Sequence, residues 1–229
     1  MRAKKLIVIT GPTASGKTSL GIALAKQLDG EIISADSMQI YRGMDIGTAK
    51  PSREEIDEFG MGGVDIVTPA EEFSSGAWVR AAAAWARSVP ADVPVVVVGG
   101  TGLYFSALLR GLDRRWTFPP PEYPVLRVER AVLRERIRAR LDGMFAAGLE
   151  DEKRRLHELY PKWSRTASLA IGYRDGDDIE KIFVRTCQLA KRQDTWFRHQ
   201  ATPLYVDPDA EAVWALWRRR GPWRVGFGG

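Results

Sequence analysis

The sequence predicts an α/β protein, in which a parallel sheet is flanked by helices and a helical C-terminal part follows. Short apolar runs rich in β-branched residues are typical of buried parallel strands, and they occupy residues 5–10, 31–35 and 93–98. Helical spacing of apolar residues, or good helix formers, predicts helices over residues 18–28, 74–88, 131–149 and 178–197. Between the first strand and the first helix the chain reads G-x-x-x-x-G-K-T, so the predicted fold is P-loop NTPase-like.

The phosphate-binding loop at residues 11–18 is the strongest motif in the chain. In such a loop, backbone N–H groups and the N-terminus of the following helix face an oligophosphate. Lys17 is expected to neutralise phosphate charge, and the hydroxyl of Thr18 to hold Mg²⁺. A chance glycine turn is the alternative, but the strand before the loop and the helix after it favour a phosphate site. The residues expected to bind phosphate are Gly11, Thr13, Ala14, Ser15, Gly16, Lys17 and Thr18.

The composition limits the classes of protein to which this chain can belong. Its 229 residues suffice for one α/β domain, and 45% hydrophobic residues suffice for a core. A net charge of +5 is compatible with a polyanionic partner or with a solvated basic surface. The single cysteine, Cys187, excludes an internal disulfide, and with two histidines it provides no metal cluster. No apolar stretch reaches bilayer length, so we expect a cytoplasmic protein without a membrane segment. We also expect a monomer.

A carboxylate follows the second predicted strand. Asp36 stands at the carboxyl end of that strand, where parallel strands face the ligand crevice of an open α/β sheet. It is therefore a candidate for chemistry, with capping or an indirect contribution to a Mg²⁺ site as the alternative. Residues 37–51 form a polar segment without periodicity, and so long a loop inside a compact domain is usually functional.

A second glycine-rich turn follows the strand at residues 93–98, which we expect in the middle of the sheet. In many nucleotide hydrolases the corresponding strand ends in an aspartate that holds Mg²⁺. Here it ends in Gly99-Gly100-Thr101-Gly102, whose backbone can approach an anion and whose Thr101 hydroxyl and N–H can bind it. This turn counts against a nucleotide-hydrolysing motor. In the next helix, Tyr104 and Phe105 are expected to face the crevice.

The remaining segments predict smaller elements and the domain organisation. We expect a helical turn at residues 52–59, a short strand at residues 64–67 and core packing for Trp78 and Trp85. Four prolines between residues 113 and 124 predict a linker. The expected units are a catalytic core at residues 1–112, a proline-rich linker at residues 113–128 and a helical part at residues 129–229 that packs on the core.

The helix predicted at residues 131–149 carries many arginines on several faces. Two interpretations are open, a solvated face and contact with the backbone of a nucleic acid. The arginines are Arg130, Arg134, Arg136, Arg138 and Arg140.

Six segments, taken together and in this order, resemble the tRNA dimethylallyltransferases. They are residues 11–18, 33–42, 45–51, 98–104, 170–174 and 191–198, which read GPTASGKT, ISADSMQIYR, DIGTAKP, VGGTGLY, AIGYR and KRQDTWFR. The resemblance covers most of the chain. It implies transfer of a dimethylallyl group from dimethylallyl diphosphate to N6 of adenine 37, beside the anticodon of tRNA.

The resemblance also implies roles for residues at the reacting atoms. Asp36 would orient the adenine amine, a poor nucleophile, and accept its proton. Charge develops on the departing diphosphate, and preorganised donors and cations stabilise such charge. We expect this stabilisation from the loop amides, Lys17, Mg²⁺ at Thr18, Thr101 and Arg174.

The prenyl group and the tRNA need further contacts. An apolar channel is expected near Tyr104 and Trp196 for the prenyl group. The target base must leave the anticodon loop, and proteins read such loops through exposed base edges and faces. Contacts with tRNA are expected from Ser37, Gln39, Arg42, Lys50, Gln193 and Arg198.

The chain departs from the family pattern in three places. Family members carry a helical insertion that grips the anticodon stem, and only residues 113–128 stand in its place here. Residues 60–63, Gly-Met-Gly-Gly, replace a usual histidine pair, and Leu169 stands where glutamine is common. The pattern predicts an intact catalytic crevice with a trimmed RNA clamp, which bears on tRNA affinity and selectivity more than on chemistry.

Three other functions are open. A prenyltransferase acting on free adenine nucleotides, as in cytokinin synthesis, fits a trimmed clamp, whereas residues 45–51 and the basic C-terminal helices favour RNA. A P-loop small-molecule kinase would bind ATP in the loop and use Asp36 to activate a hydroxyl. An RNA-binding relic without activity is disfavoured by the presence of Lys17, Thr18, Asp36, Thr101 and Arg174.

Overall fold

The computed structural model of the chain describes residues 4–110, 124–199, 204–220 and 223–225. Within these residues the strands are β1 (Lys4–Thr10), β2 (Glu31–Ser34), β3 (Val95–Gly99), β4 (Pro124–Leu126), β5 (Leu204–Val206) and β6 (Trp223–Val225). The helices are α1 (Lys17–Leu28), α2 (Arg53–Glu58), α3 (Ser75–Ser88), α4 (Gly102–Arg110), α5 (Arg130–Ala146), α6 (Leu149–Leu159), α7 (Ile179–His199) and α8 (Ala210–Arg220), with a 3₁₀ turn at Ala167–Leu169. The described part of the chain offers no helical candidate for a membrane span.

The predicted α/β class with a parallel sheet is confirmed. Five strands pair in the order β2-β3-β1-β4-β5, all in parallel, and β6 adds to β1 in the antiparallel sense. The three predicted strands correspond to β1, β2 and β3, with ends shifted by one or two residues. β3 is an internal strand between β2 and β1, while β1 occupies the middle. Helices cover both faces of these strands, which is why their sequences are apolar throughout.

Alternate residues of the strands point into two separate core layers. Leu6 and Val8 of β1 pack on one face with side chains from α3, α4, α5, α6 and α7. Ile9 packs on the other face with side chains from α1, α2 and α8. Trp78 is fully buried in the first layer, stacks on Tyr104 and donates its indole N–H to the carbonyl of Ser34 at 3.1 Å. Trp85 packs partly buried against the same layer, so the predicted core role of both tryptophans is confirmed.

The strand predicted at residues 64–67 is not formed. Only isolated bridges occur there, from Gly62 to Ile33 and from Val67 to Tyr41. Gly63 and Asp65 have positive φ angles of 81° and 50°, which an extended strand does not allow. A side chain at position 63 would collide with the carbonyl oxygen of Ser34, so the glycine is required by close packing.

The helix predicted over residues 131–149 is confirmed as α5, but it ends three residues earlier and a second helix, α6, follows it. α5 ends at Ala146, Gly148 takes a left-handed φ of 93°, and α6 begins at Leu149. Glycine adopts this conformation without steric cost, and it turns the chain so that α6 leaves in a new direction.

The predicted linker and the predicted helical part both supply strands to the sheet. β4 lies inside the predicted linker and extends the sheet beside β1, β5 pairs with β4, and β6 pairs with the first residues of β1. Short strands with few residues give little periodicity, which explains why the sequence did not indicate them. Residues 113–123 of the predicted linker lie outside the described residues, and the division into three units stays a prediction.

Candidate active site at the phosphate loop

The phosphate loop joins β1 to α1, and its backbone contains two residues in the left-handed conformation. Ala14 and Gly16 have left-handed φ angles of 62° and 89°, and the Ser15 amide donates to the carbonyl of Pro12 at 3.2 Å. No side chain caps the first turn of α1. The amides of that turn therefore point toward the loop without partners in the helix, as an oligophosphate site requires.

A cavity of about 270 Å³ opens at this loop, where β1, β2 and β3 end. The charged side chains among its described lining residues are four cations and one carboxylate: Lys17, Arg140, Arg174, Arg192 and Asp36. Apolar side chains of α5, α6 and α7 form part of the remaining wall, namely Ile137, Leu141, Met144, Leu149, Ile182 and Leu189. A cationic end joined to an apolar wall fits a ligand with an anionic head and an apolar tail.

Lys17 is held inside the cavity rather than in solvent. Its Nζ donates to the carbonyl of Pro12 at 3.2 Å. Burial lowers the pKa of Lys17 to about 8, the Asp36 carboxylate raises it in part, and the Arg140 guanidinium lowers it further. The ammonium is thus short of compensating charge, and an incoming anion would stabilise it.

Arg140, for which the sequence left a solvated face and a nucleic-acid contact open, lies instead at the cavity beside the phosphate loop. It extends from α5 to the phosphate loop and the loop after β2, where it donates to Thr13 Oγ1 at 3.4 Å and to the carbonyl of Thr48 at 3.3 Å. Burial lowers the pKa of its guanidinium and the charge of Asp36 opposes this. Its position one turn beyond the buried Ile137 was the only available signal, because it places Arg140 at the edge of the buried face.

Asp36 lies in the cavity, as expected from its place after β2. Its Oδ1 accepts a hydrogen bond from the Met38 amide at 2.9 Å, which fixes the carboxylate on the following turn. Both alternatives for this residue, capping and chemistry, are therefore compatible with the geometry, since the second oxygen has no described partner.

Thr101 differs from the expectation in one respect. Its N–H donates to the carbonyl of Ala35 at 3.3 Å and is not directed at an anion. Thr101 lines the cavity, and its hydroxyl oxygen accepts a hydrogen bond from the Ser37 amide at 3.0 Å. The glycines of this turn are needed by packing, because a Cβ at Gly99 would lie 2.3 Å from the Ala35 carbonyl oxygen.

Arg174 lines the cavity from the turn that precedes α7. Its Nε lies 3.5 Å from Oδ1 of the fully buried Asp175, which also pairs with Arg185. Arg174 and Arg192 are more exposed than Lys17 and Arg140. The cavity is thus lined by two partly buried cations, Lys17 and Arg140, and by two exposed cations, Arg174 and Arg192.

The six residues expected at tRNA fall into two groups. Ser37, Gln39 and Gln193 line the cavity. The other three lie outside the cavity. Arg42 donates to the carbonyls of Asp65 and Ile66, and Arg198 pairs with Asp194.

Lys50, one of these three, is bound within the loop that follows β2. It donates to the carbonyl of Tyr41 and to the carboxylates of Asp45 and Asp65, each carboxylate at 2.6 Å. These contacts give Lys50 a structural role in holding the loop.

The aromatic side chains near which the prenyl channel is expected pack away from this cavity. Tyr104 and Phe105 are buried in the core, and burial raises the pKa of Tyr104. Trp196 packs over Gly102, where a Cβ would lie 2.3 Å from its ring. None of the three lines the cavity. These side chains fill the contact between α4, α7 and the sheet, so Tyr104 and Phe105 do not face the cavity, while the place of the prenyl group stays a prediction.

A Mg²⁺ ion fits the donors present only when a substrate supplies further oxygens. Thr18 and Asp36 line the cavity together, one with a hydroxyl and one with a carboxylate. The described residues contain no cluster of three or more His, Cys, Asp or Glu that would form a complete cage. Mg²⁺ is commonly held in this way, by one or two protein oxygens, substrate phosphates and water.

The sheet, the loop and the cavity together define the class of this protein, a P-loop α/β protein with a cationic, partly apolar ligand site. Models of two families match it: an IPP transferase model over residues 39–125 and 119–200, and an isopentenyl transferase model over residues 4–60. The chain belongs to the IPP transferase family.

Individual relatives agree with this assignment. The chain is 32% identical over 292 positions to tRNA dimethylallyltransferase 1 of Syntrophus aciditrophicus, covering 90% of the chain and 94% of that protein. It is 57% identical over 109 residues to tRNA dimethylallyltransferase 2 of Geotalea uraniireducens, which covers 47% of the chain and 35% of that protein. The full-length tRNA isopentenylpyrophosphate transferase of Bacillus halodurans superposes with a TM-score of 0.80 at 30% identity, covering 94% of the chain and 95% of that structure.

The first of these alignments is longer than the chain itself. The Syntrophus relative therefore carries residues for which this chain has no counterpart. That residues 113–128 stand in place of the family's helical insertion stays a prediction.

Proposed function

We propose that this chain transfers a dimethylallyl group from dimethylallyl diphosphate to N6 of adenine 37 in the anticodon loop of tRNA. The observation that carries the proposal is the cavity itself. It joins a phosphate loop and four cations to an apolar wall, and it holds one carboxylate, in a member of the IPP transferase family. In the reaction, the bond between the allylic carbon and the diphosphate oxygen breaks, a carbon–N6 bond forms and the N6 proton leaves.

The diphosphate would bind at the loop amides, with Lys17 and Arg140 at its deep side and Arg174 at the more exposed side. These groups are held by the fold before the substrate arrives, so they stabilise the growing charge of the leaving group without reorganisation. When bound at the Thr18 hydroxyl, Mg²⁺ would neutralise part of the diphosphate charge. The hydroxyl of Thr101 would act through Ser37, whose amide it holds.

Asp36 would accept the N6 proton. Its Oδ1 is held by the Met38 amide, which leaves the second oxygen for the adenine amine. A carboxylate so placed orients the amine and removes the proton as the new bond forms. Ser37 and Gln39, beside it in the cavity, would contact the extruded base.

The apolar side chains of α5, α6 and α7 would enclose the prenyl group. Exclusion of water from this wall protects the electron-deficient allylic carbon from hydrolysis. We expect a monomeric enzyme, and the single cysteine of the sequence suits a reducing compartment such as the cytoplasm.

A transfer assay tests the proposal against its alternatives. Purified protein, Mg²⁺ and radiolabelled dimethylallyl diphosphate are incubated with unmodified tRNA that has adenine at positions 36 and 37, and with AMP in parallel. Label in tRNA that disappears when adenine 37 is replaced supports the proposal. Label only in AMP identifies a free-nucleotide prenyltransferase. Label in neither acceptor contradicts both, and thermal stabilisation by ATP–Mg²⁺ alone would then favour a kinase.

The binding of diphosphate is expected to weaken as the pH rises through about 8. Below that pH the free protein carries the Lys17 ammonium, and above it the lysine must take up a proton before it can pair with the anion. The dissociation constant of inorganic diphosphate should then increase by up to about tenfold per pH unit, measured by calorimetry. A Lys17→Arg variant stays charged over this range and should lose the slope. A flat profile for the unmodified protein would place the anion away from Lys17.

A further inference from the structure

The side chain of Gln193 connects two loops that come from different strands. Its Oε1 accepts a hydrogen bond from the Thr13 amide in the phosphate loop at 2.8 Å. Its Nε2 donates to the carbonyl of Gly100, in the turn after β3, at 3.0 Å. One amide group on α7 thereby ties the loop after β1 to the turn after β3, and both of its ends are occupied.

Two glycines of the turn after β3 lie directly against side chains of α7. A Cβ at Gly100 would lie 2.5 Å from Gln193 Nε2 and 3.0 Å from the carbonyl oxygen of Gly11. Three residues along α7, Trp196 closes over Gly102 in the same way. The Trp196 ring therefore leaves no room for a side chain at position 102, and a side chain at position 100 would displace the amide of Gln193.

The contact requires a side chain that both donates and accepts. A glutamate would retain the acceptor for the Thr13 amide but place an oxygen against the Gly100 carbonyl. A lysine would have donors only. Glutamine matches both partners, and its contact with the Thr13 amide helps hold the loop in which Ala14 takes a left-handed conformation.

We propose that Gln193 is a positioning residue for diphosphate binding: it holds the phosphate loop in its binding conformation and does not contact RNA. The inference rests on the proposed function only for the identity of the ligand. Without the side chain, the Thr13 amide loses its partner and the loop must become ordered when the anion binds. That ordering opposes binding, because preorganisation is what a rigid loop contributes to affinity.

The test compares three variants of the full chain: Gln193→Ala, Gln193→Glu and, as the matched control, Gln188→Ala. Gln188 lies on the same helix, is exposed and does not line the cavity. Calorimetry gives the dissociation constants of inorganic diphosphate and dimethylallyl diphosphate, and filter binding gives that of tRNA. Melting temperatures show that each variant is folded, and Gln193→Glu replaces Gln193→Ala if the latter does not fold.

Gln193→Ala should weaken diphosphate binding by about tenfold, the equivalent of losing one or two hydrogen bonds. Gln193→Glu should weaken it similarly, tRNA affinity should be unchanged, and Gln188→Ala should bind as the unmodified protein does. In the transfer assay the KM for dimethylallyl diphosphate should rise more than kcat falls. Unchanged diphosphate binding, or a loss confined to tRNA, would overturn the inference. Because binding is measured without transfer, failure of the proposed reaction would leave this result interpretable.

Discussion

Replacement of Asp36 by asparagine is expected to lower the rate of transfer by roughly 10²- to 10⁴-fold, the usual contribution of a general base. Asparagine has nearly the same shape and can still accept the hydrogen bond from the Met38 amide. It cannot take the proton from N6, so the change isolates the chemical role from the structural one. Single-turnover transfer to tRNA, with saturating dimethylallyl diphosphate, measures the effect.

The assay has two controls. Asp29→Asn changes the same atoms at an exposed position where α1 ends in a left-handed conformation, which asparagine tolerates. Its rate should match that of the unmodified protein. The second control is the pH of the assay. The charge of Asp36 raises the pKa of Lys17, so removing that charge lowers the pKa of Lys17 further. The comparison is therefore made near pH 6.5, where the lysine stays charged. An Asp36→Asn protein with normal turnover would remove Asp36 from the base role and leave it as a cap.

Replacement of Glu152 by alanine is expected to cause the largest loss of stability. Its buried carboxylate accepts hydrogen bonds from the amides of Asp45, Ile46 and Gly47 at 3.1, 2.9 and 3.2 Å. It also accepts one from the hydroxyl of Tyr173, and burial together with this negative charge raises the pKa of Tyr173. Removing the carboxylate leaves four donors unsatisfied, so the free energy of unfolding should fall by about 3 kcal/mol or more.

Urea denaturation measures this loss, with Glu150→Ala as its control. Glu150 is exposed in the same first turn of α6 and interacts mainly with the helix dipole, so its removal should cost less than about 1 kcal/mol. Equal losses for the two variants would mean that the loop at residues 45–47 does not depend on Glu152. A stable Glu152→Ala protein with weakened tRNA binding would instead show that the loop adjusts locally.

The sequence by itself determined those features that arise from neighbouring residues. The phosphate loop, β1, β2 and β3 were predictable because each depends on local apolar runs, on glycines and on a motif of fixed spacing. Asp36 was predictable because a residue that follows a parallel strand lies at the ligand edge of the sheet. Ser52 illustrates the same point on a small scale, since the capping box with Glu55 that begins α2 is a contact over three residues.

Only the tertiary structure decided which distant residues complete the site. Arg140 is 127 residues from Thr13 and Gln193 is 180 residues from it, yet both side chains contact the phosphate loop. Periodicity shows which face of a helix is buried, but not which loop that face meets. Glu152 and Lys50 hold the loop after β2 for the same reason, through contacts that exist only once the chain has folded. The apolar wall of the cavity likewise depends on how α5, α6 and α7 pack on the sheet. Neighbouring residues in the sequence do not predict that packing.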